Sequence, residues 1–185
     1  VKILGLDLSL VQSGVAIVED GRLAAMVPIR SSKLPPGASA AATTERLDEI
    51  ARRIAGVVMA NGPDVVAIEG YSYGSSASQA HSTGELGGAV RLWLWRNHYR
   101  DIVEWPPKQW RKYLFDNGNL DKELVRIRVA RRFAVELADV VDSASLDELE
   151  AWCVAYSEWI RRSEGFAGPP AKLERAPRRR KPAAA

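Results

Sequence analysis

Val1-Lys2-Ile3-Leu4-Gly5-Leu6-Asp7-Leu8-Ser9-Leu10-Val11-Gln12-Ser13-Gly14, followed by Val15-Ala16-Ile17-Val18, is the stretch on which the reading of this chain turns. Ile3, Leu4 and Leu6 form an apolar run that stops at Asp7, and Gly14 leads into a second apolar run. That order describes a buried strand, a tight turn and a returning strand. Asp7 then stands where a central strand ends. A carboxylate there is costly to desolvate unless something positive pairs with it. The plain alternative is an Asp that caps its own turn, a common use before Ser and Gly. What the rest of the chain brings to Asp7 decides between the two.

Working outward, Val15 to Glu19 and Leu23 to Ile29 read as strands joined at Asp20-Gly21, a two-residue hairpin signal. Ser31 to Ala42 reads as a loop, with Thr43 or Thr44 capping a helix that carries Leu47, Ile50, Ala51, Ile54 and Val58 on one face. Asn61-Gly62 should end that helix in a left-handed cap. Asp64 to Glu69 is a short apolar strand that again ends in a carboxylate, and a strand reached through a helix should lie parallel to the first. Tyr71 to Thr83 is polar, with a helix expected after it through Leu86, Val90 and Leu94; Gly84, Gly87 and Gly88 near its start imply close backbone approach. Asp101 to Trp105 is a fifth strand, Lys108 to Phe115 a short helix, and Asp121 to Leu137 a longer helix with Leu124, Ile127, Ala130 and Phe133 turned inward. The last helix starts at Ser145, where Ser145 and Glu148 fit a capping box. Asp147 and Glu150, three apart, share one face there.

The fold class is therefore α/β, with a five-stranded mixed sheet: three antiparallel strands, then two parallel, flanked by helices. Residues 1–163 make one domain, and 164–185 form a basic tail, six basic residues against two acidic, expected to be disordered. Such tails contact nucleic acid non-specifically or serve only as solubilising extensions. The lone cysteine, Cys153, leaves no internal disulfide and points to a reducing, cytoplasmic setting. Val1 enters a strand-like run directly, so no secretion signal is expected, and the missing initial Met implies trimming. No apolar run is long enough to span a bilayer, so no membrane partner is expected.

A right-handed crossover makes the strands ending in Asp7 and Glu69 neighbours, and the last helix can add Asp147 and Glu150. Taken one at a time, each has a plain reading: a turn Asp, a helix N-terminus that favours acids, and for Glu148 the cap itself. Together the four acids repel at low dielectric, so either their pKa values rise or cations neutralise them. Oxygen ligands without a His or Cys cluster favour hard ions, Mg²⁺ or Mn²⁺. Two such ions ~4 Å apart activate water and stabilise the leaving oxygen in phosphodiester cleavage. Segment 108–132 holds eight basic residues against three acidic and reads as a phosphate-binding face, with Gly118 and Asn119 offering backbone amides before a helix. Arg126 to Arg132 also fit a solvated, charged helix face. His81 and His98 read as ordinary loop or surface residues. Trp93 and Trp95, two apart on a helix, cannot share a face, so one is core and the other a subunit contact.

The chain resembles the RuvC-type Holliday junction resolvases of the RNase H-like superfamily. The matching pieces are Ile3-Leu4-Gly5-Leu6-Asp7 with Gly14, Val66-Ala67-Ile68-Glu69, Gly118-Asn119-Leu120-Asp121-Lys122, and Asp147-Glu148-Leu149-Glu150-Ala151. Their order and spacing, over roughly residues 1–160, carry the likeness. It implies a homodimeric endonuclease that binds two Mg²⁺ ions through Asp7, Glu69, Asp147 and Glu150. It also implies cleavage of four-way DNA, with other branched DNA as further candidate substrates, leaving 5′-phosphate and 3′-hydroxyl ends. Lys108, Arg111, Lys112, Gly118 and Lys122 would contact the DNA backbone. Tyr71 and Tyr73 flank the position of the family's aromatic wedge, occupied here by Ser72; they could stack on unpaired bases or simply pack in the loop. Three more positions depart from the family pattern. Glu150 stands where Asp is usual, and Asp116 and Leu120 replace a Gly and an Ala of the basic loop. The combination resembles the bacteriophage branch, which places the protein in a bacterial or infected cell. Two other readings share these residues: an RNase H-like ribonuclease, and a junction-binding protein that does not cut. A phosphate-handling ATPase of the actin and sugar-kinase fold would need a longer chain.

Overall fold

A computed structural model describes residues 1–71 and 77–165. Its elements are β1 (Lys2–Asp7), β2 (Gln12–Glu19), β3 (Arg22–Arg30), α1 (Ala40–Asn61), β4 (Val65–Glu69), α2 (Ala77–Arg96), β5 (Ile102–Trp105), α3 (Pro107–Phe115), α4 (Lys122–Arg132) and α5 (Leu146–Ser163). The sheet order is β3-β2-β1-β4-β5. β1 and β2, and β2 and β3, pair antiparallel, while β1 with β4 and β4 with β5 pair parallel. Asp20 and Gly21 both have positive φ (49° and 80°), the geometry that the hairpin between β2 and β3 demands.

Strand alternation sorts the side chains into two cores. Leu4, Leu6, Val15, Ile17, Val66 and Ile68 pack with α1 and α2 on one face. Ile3, Ala16, Val18, Val65, Ala67, Val103 and Trp105 pack with α3, α4 and α5 on the other. By the same parity Asp7, Gly14 and Glu69 fall on the α5 face. The register carries this through: Asp7 lies opposite Gly14, and Leu6 opposite Ile68, so Asp7 and Glu69 end adjacent parallel strands side by side.

Two small residues bring α5 unusually close to the sheet. A methyl group on Gly5 would overlap the Ala151 carbonyl oxygen, and one on Gly14 would overlap the Asp147 carbonyl. At the far end of the helix, the Trp159 ring covers Gly21, 2.6 Å from where a Cβ would stand. Ala151 and Ala155 are fully buried at this crossing. The helix therefore lies in a shallow trough in the sheet, with its acidic N-terminal turn over the end of β1.

The structure corrects several local expectations. Helix α1 starts at Ala40 with Ser39 as its cap, whose hydroxyl accepts from the Ala42 N–H. Thr43 and Thr44 instead donate their hydroxyls back to the carbonyls of Ser39 and Ala40. Gly62 does close α1 in the left-handed region (φ 52°). Helix α2 begins at Ala77, inside the polar stretch expected to come before it, so its glycines lie mid-helix. Only Gly87 marks a close approach, to the Tyr71 hydroxyl; Gly84 and Gly88 have nothing near. Helix α4 ends at Arg132; Phe133 is buried and Ala130 packs against the core as expected, but Val125 and Val129 are buried in place of Leu124 and Ile127, which are exposed. Phe133, inward on either stripe, joins a ring cluster with Phe115, Trp152 and Tyr156. Arg126 then ties the following turns down by donating to the carbonyls of Val141 and Ala144. Cys153 is buried in the core, as read. Trp93 packs against the core and Trp95 is exposed. The proposed basic tail lies outside the described residues from 166 onward.

Gly5→Ala should cost roughly 3 kcal/mol, as overpacking does, because the clash is with helix backbone and cannot be relieved by a rotamer change. In a chain of this size that is a fall of roughly 6–12 °C in Tm, which a thermal melt followed by circular dichroism would measure.

Candidate active site

The site is assembled where β1, β4 and the start of α5 meet. Asp7 ends β1 and Glu69 ends β4 because each apolar run stops there. Asp147 and Glu150 come from the first turn and a half of α5, which is fixed by its capping box. Ser145 accepts from the Glu148 N–H, and Glu148 accepts from the Ser145 N–H. Glu148 is thereby committed to the cap, the use expected of it.

Asp7, Asp147 and Glu150 each offer a carboxylate oxygen within 4.8 Å of the others. Asp7 is 6% exposed and Glu150 1% exposed. Glu69 lies beside them, within hydrogen-bonding reach of Asp7 when one of the two is protonated. One of its oxygens, Oε1, accepts from the indole Nε1 of Trp110 at 2.8 Å. Two cationic side chains face the same acids. Arg111 Nη2 meets Glu150 Oε1 at 2.7 Å. Lys122 Nζ meets Glu150 Oε2 at 2.8 Å and Asp147 Oδ1 at 2.9 Å, and lies 3.8 Å from Asp7 Oδ2.

Burial, together with the charges of Glu69 and Glu150, pushes the Asp7 pKa well above the usual carboxylate range, against a smaller opposing pull from Lys122. Burial and then Glu150 raise Glu69, partly offset by the hydrogen bonds from Asp7 and Trp110 and by the Arg111 charge. Burial opposes the charge of Lys122, but Asp7, Glu150 and the hydrogen bonds to Glu150 and Asp147 outweigh it and push its pKa up. The cluster thus carries more negative charge than its built-in cations relieve. Asp7 Oδ2 is buried without a hydrogen-bond donor among the described residues. An orphaned carboxylate oxygen among oxygen-only donors, with no His or Cys in the group, fits a hard divalent cation.

The other sequence-predicted residues fall in different places. Lys108 and Lys112 are exposed on α3. Gly118 sits where a Cβ would stand 2.6 Å from the Lys108 carbonyl oxygen, so it closes the loop tightly onto the start of α3. Arg111, expected on the DNA backbone, is 17% exposed and bound to Glu150; Lys122, likewise expected there, keeps 49% of its side chain exposed. Tyr71 packs on α2, its hydroxyl accepting from Arg91 Nη1 at 2.8 Å. Tyr73 lies outside the described residues, and His81 is exposed, 3.7 Å from Glu85. Sequence reasoning missed Trp110: the spacing Trp110–Leu114 marks a buried helix face, but nothing in it singles out the indole nitrogen.

Residues 3–151 match the family described as crossover junction endodeoxyribonuclease RuvC. A relative from Synechococcus sp. (strain WH7803) bearing that name is 30% identical over 162 residues, covering 87% of this chain and 99% of its own length. One from Corynebacterium glutamicum is 24% identical over 157 residues, covering 82% of this chain and 69% of its own. Among solved structures, Thermus thermophilus RuvC superposes with a TM-score of 0.72 at 20% identity, over 92% of this chain and all of that one. The same protein in complex with a Holliday junction substrate gives 0.71, over 91% and 99%.

Asp7 holds its proton more tightly in the folded than in the unfolded chain, so without metal its contribution to stability falls as pH rises above the ordinary value of 3.8. Asp7→Asn removes that loss. In calorimetry with EDTA the variant should melt several degrees higher than the parent near neutral pH, with the gap closing toward acid.

Proposed function

The chain belongs to the family of crossover junction endodeoxyribonucleases RuvC, and we propose that it is a metal-dependent, structure-selective endonuclease that cuts four-way DNA junctions. The observation that carries this reading is the gathering of Asp7, Asp147 and Glu150 within 4.8 Å, with Glu69 alongside. Asp7, Glu69, Asp147 and Glu150 would hold two Mg²⁺ ions, with Mn²⁺ able to substitute. When bound, such ions lower the pKa of a water and offset charge on the scissile phosphate and the leaving 3′-oxygen, giving 5′-phosphate and 3′-hydroxyl ends.

The chain's own residues supply the frame. Asp7 and Glu69 are fixed by paired strands, and Asp147 and Glu150 by a capped helix, so their spacing is set before a ligand arrives. Glu150 reaches one methylene further than the Asp usual in the family, and its two oxygens are held by Arg111 and Lys122. Those contacts draw the longer side chain back among its neighbours. Lys122, half exposed, stands at the mouth of the site, where it can turn to a phosphate. Lys108, Lys112 and the tight loop at Gly118 would continue a basic face from there, and Tyr71, just after β4, is a candidate to stack on unpaired bases, as is Tyr73 by its place in the sequence. Affinity would come from charge along the backbone, and selectivity from the branched shape.

Two-fold symmetric cutting needs a homodimer, which we assign to α2. Leu92 and Trp95, three apart, are 50% and 57% exposed there, and Arg100 stacks over the Trp95 ring at 3.8 Å. Among the described residues no helix is long and apolar enough to cross a membrane. Trp95→Asp should shift the chain from dimer to monomer in light scattering, without lowering Tm below that set by lost dimerisation.

The function is tested by offering labelled four-way junction, flap, linear duplex and RNA–DNA hybrid in Mg²⁺ to the parent, Asp7→Asn and Glu69→Gln. Paired nicks in the four-way junction are expected, falling by at least about a hundredfold in both variants. Cutting of hybrid alone would make the protein a ribonuclease. Tight junction binding with no cutting in Mg²⁺ or Mn²⁺ would make it a binding module.

A further inference from the structure

Trp110 and Arg111 are consecutive on α3, and each is bonded to a different carboxylate of the site: Trp110 to Glu69 on β4, Arg111 to Glu150 on α5. The two also touch, with the Arg111 guanidinium 5.0 Å from the Trp110 ring centroid. Helix α3 thus clasps the carboxylates of two other elements. Arg111 neutralises charge as it does so. Trp110 does not, and that difference is informative.

We infer that Trp110 is a positioning residue, whose indole N–H holds the Glu69 carboxylate in its working orientation without competing with a cation for its charge. This rests on the nuclease reading above, and deepens it. An indole nitrogen is a donor only and neither gains nor loses a proton at any ordinary pH. A Lys or Arg in its place would also orient Glu69, but would cancel the charge that makes it a ligand. The donor is rigidly held. Trp110 is fully buried, its ring lies edge-on to Phe115 at 6.4 Å, and Pro107 starts the helix that carries it. The N–H engages one oxygen of Glu69, which leaves the other for a metal. Outer contacts of this kind fix the orientation of ligating carboxylates and alter metal affinity when lost.

The test uses the full chain and needs no DNA. Trp110→Phe keeps an aromatic ring and deletes the N–H. Trp152→Phe is the matched control, because Trp152 is equally buried and its Nε1 has no hydrogen-bond partner among the described residues. Mn²⁺ affinity measured by titration calorimetry should fall about tenfold in Trp110→Phe and by less than about twofold in Trp152→Phe. Equal changes in the two variants would reduce Trp110 to packing and overturn the inference. Should Trp110→Phe fail to fold, the indole resonances of the ¹⁵N-labelled parent decide. Of six tryptophans, a hydrogen-bonded indole N–H should move both on adding Mg²⁺ and in Glu69→Gln. No indole responding to either would overturn the role. A protein that bound Mn²⁺ as expected but cut no nucleic acid would overturn the nuclease reading and leave the placement of Trp110 standing.

Discussion

Carboxylates withdrawn from water repel one another far more than they do in solution, and this structure concentrates that repulsion at one end of its sheet. Two neighbouring parallel strands each finish on an acid, and a helix delivers two more onto the same face. Desolvation and mutual charge raise Asp7 and Glu69 together. Lys122 and Arg111 relieve part of the load by direct contact. Much of the molecule around the site makes sense as support for groups that would otherwise move apart: strands hydrogen-bonded on both sides, a fully satisfied capping box, and a buried indole.

The support extends into the core on the same face. Glu158, fully buried on α5, is bound by Arg161, by Arg162 and by the indole of Trp105 at 3.0 Å. Arg162 goes on to Asp101, at the start of β5. A buried charge is tolerable only when its partners are this complete. The network ties the C-terminal half of α5 to the edge strand, while the glycine trough ties its N-terminal half to β1 and β2. Replacing either partner set would leave the helix held at one end only.

Most of this architecture was legible in the amino-acid order. The parity of Ile3, Gly5 and Asp7 against Leu4 and Leu6, the Asp20-Gly21 turn and the two runs that end in acids are local signals, and they determine the sheet. What was not legible depended on choices between near-equal local patterns. Helix α4 offers two apolar stripes that both end on Phe133, and the local pattern does not say whether Leu124 and Ile127 or Val125 and Val129 share its face; in the folded core it is Val125 and Val129. The start of α1 offered three hydroxyl residues within six positions, and chain geometry chose Ser39. Within the site, the acids were visible because a buried acid is anomalous in any context. Trp110 was invisible for the converse reason: a tryptophan on a buried helix face is already explained by packing, and its single polar atom leaves no trace in the hydrophobic pattern. The inward turn of Arg111 was hidden likewise, since a basic residue near a basic loop reads as solvent-facing.

The trough that seats α5 also gives the molecule a mechanical property. Twelve residues of unbroken helix separate Trp159 from Asp147, a rod of ~18 Å, wedged at both ends against glycine. A rod seated this way has little freedom to slide or tilt, so a disturbance at one seat is delivered to the other nearly undiminished. The hairpin turn at Asp20-Gly21, remote from any reacting atom, is therefore one of the fixed points against which the acidic end of the helix is aligned. Surface turns are ordinarily the most tolerant parts of a fold; this one acts as an end-stop, where a side chain at position 21 would press on the Trp159 ring of the same helix that carries the carboxylates.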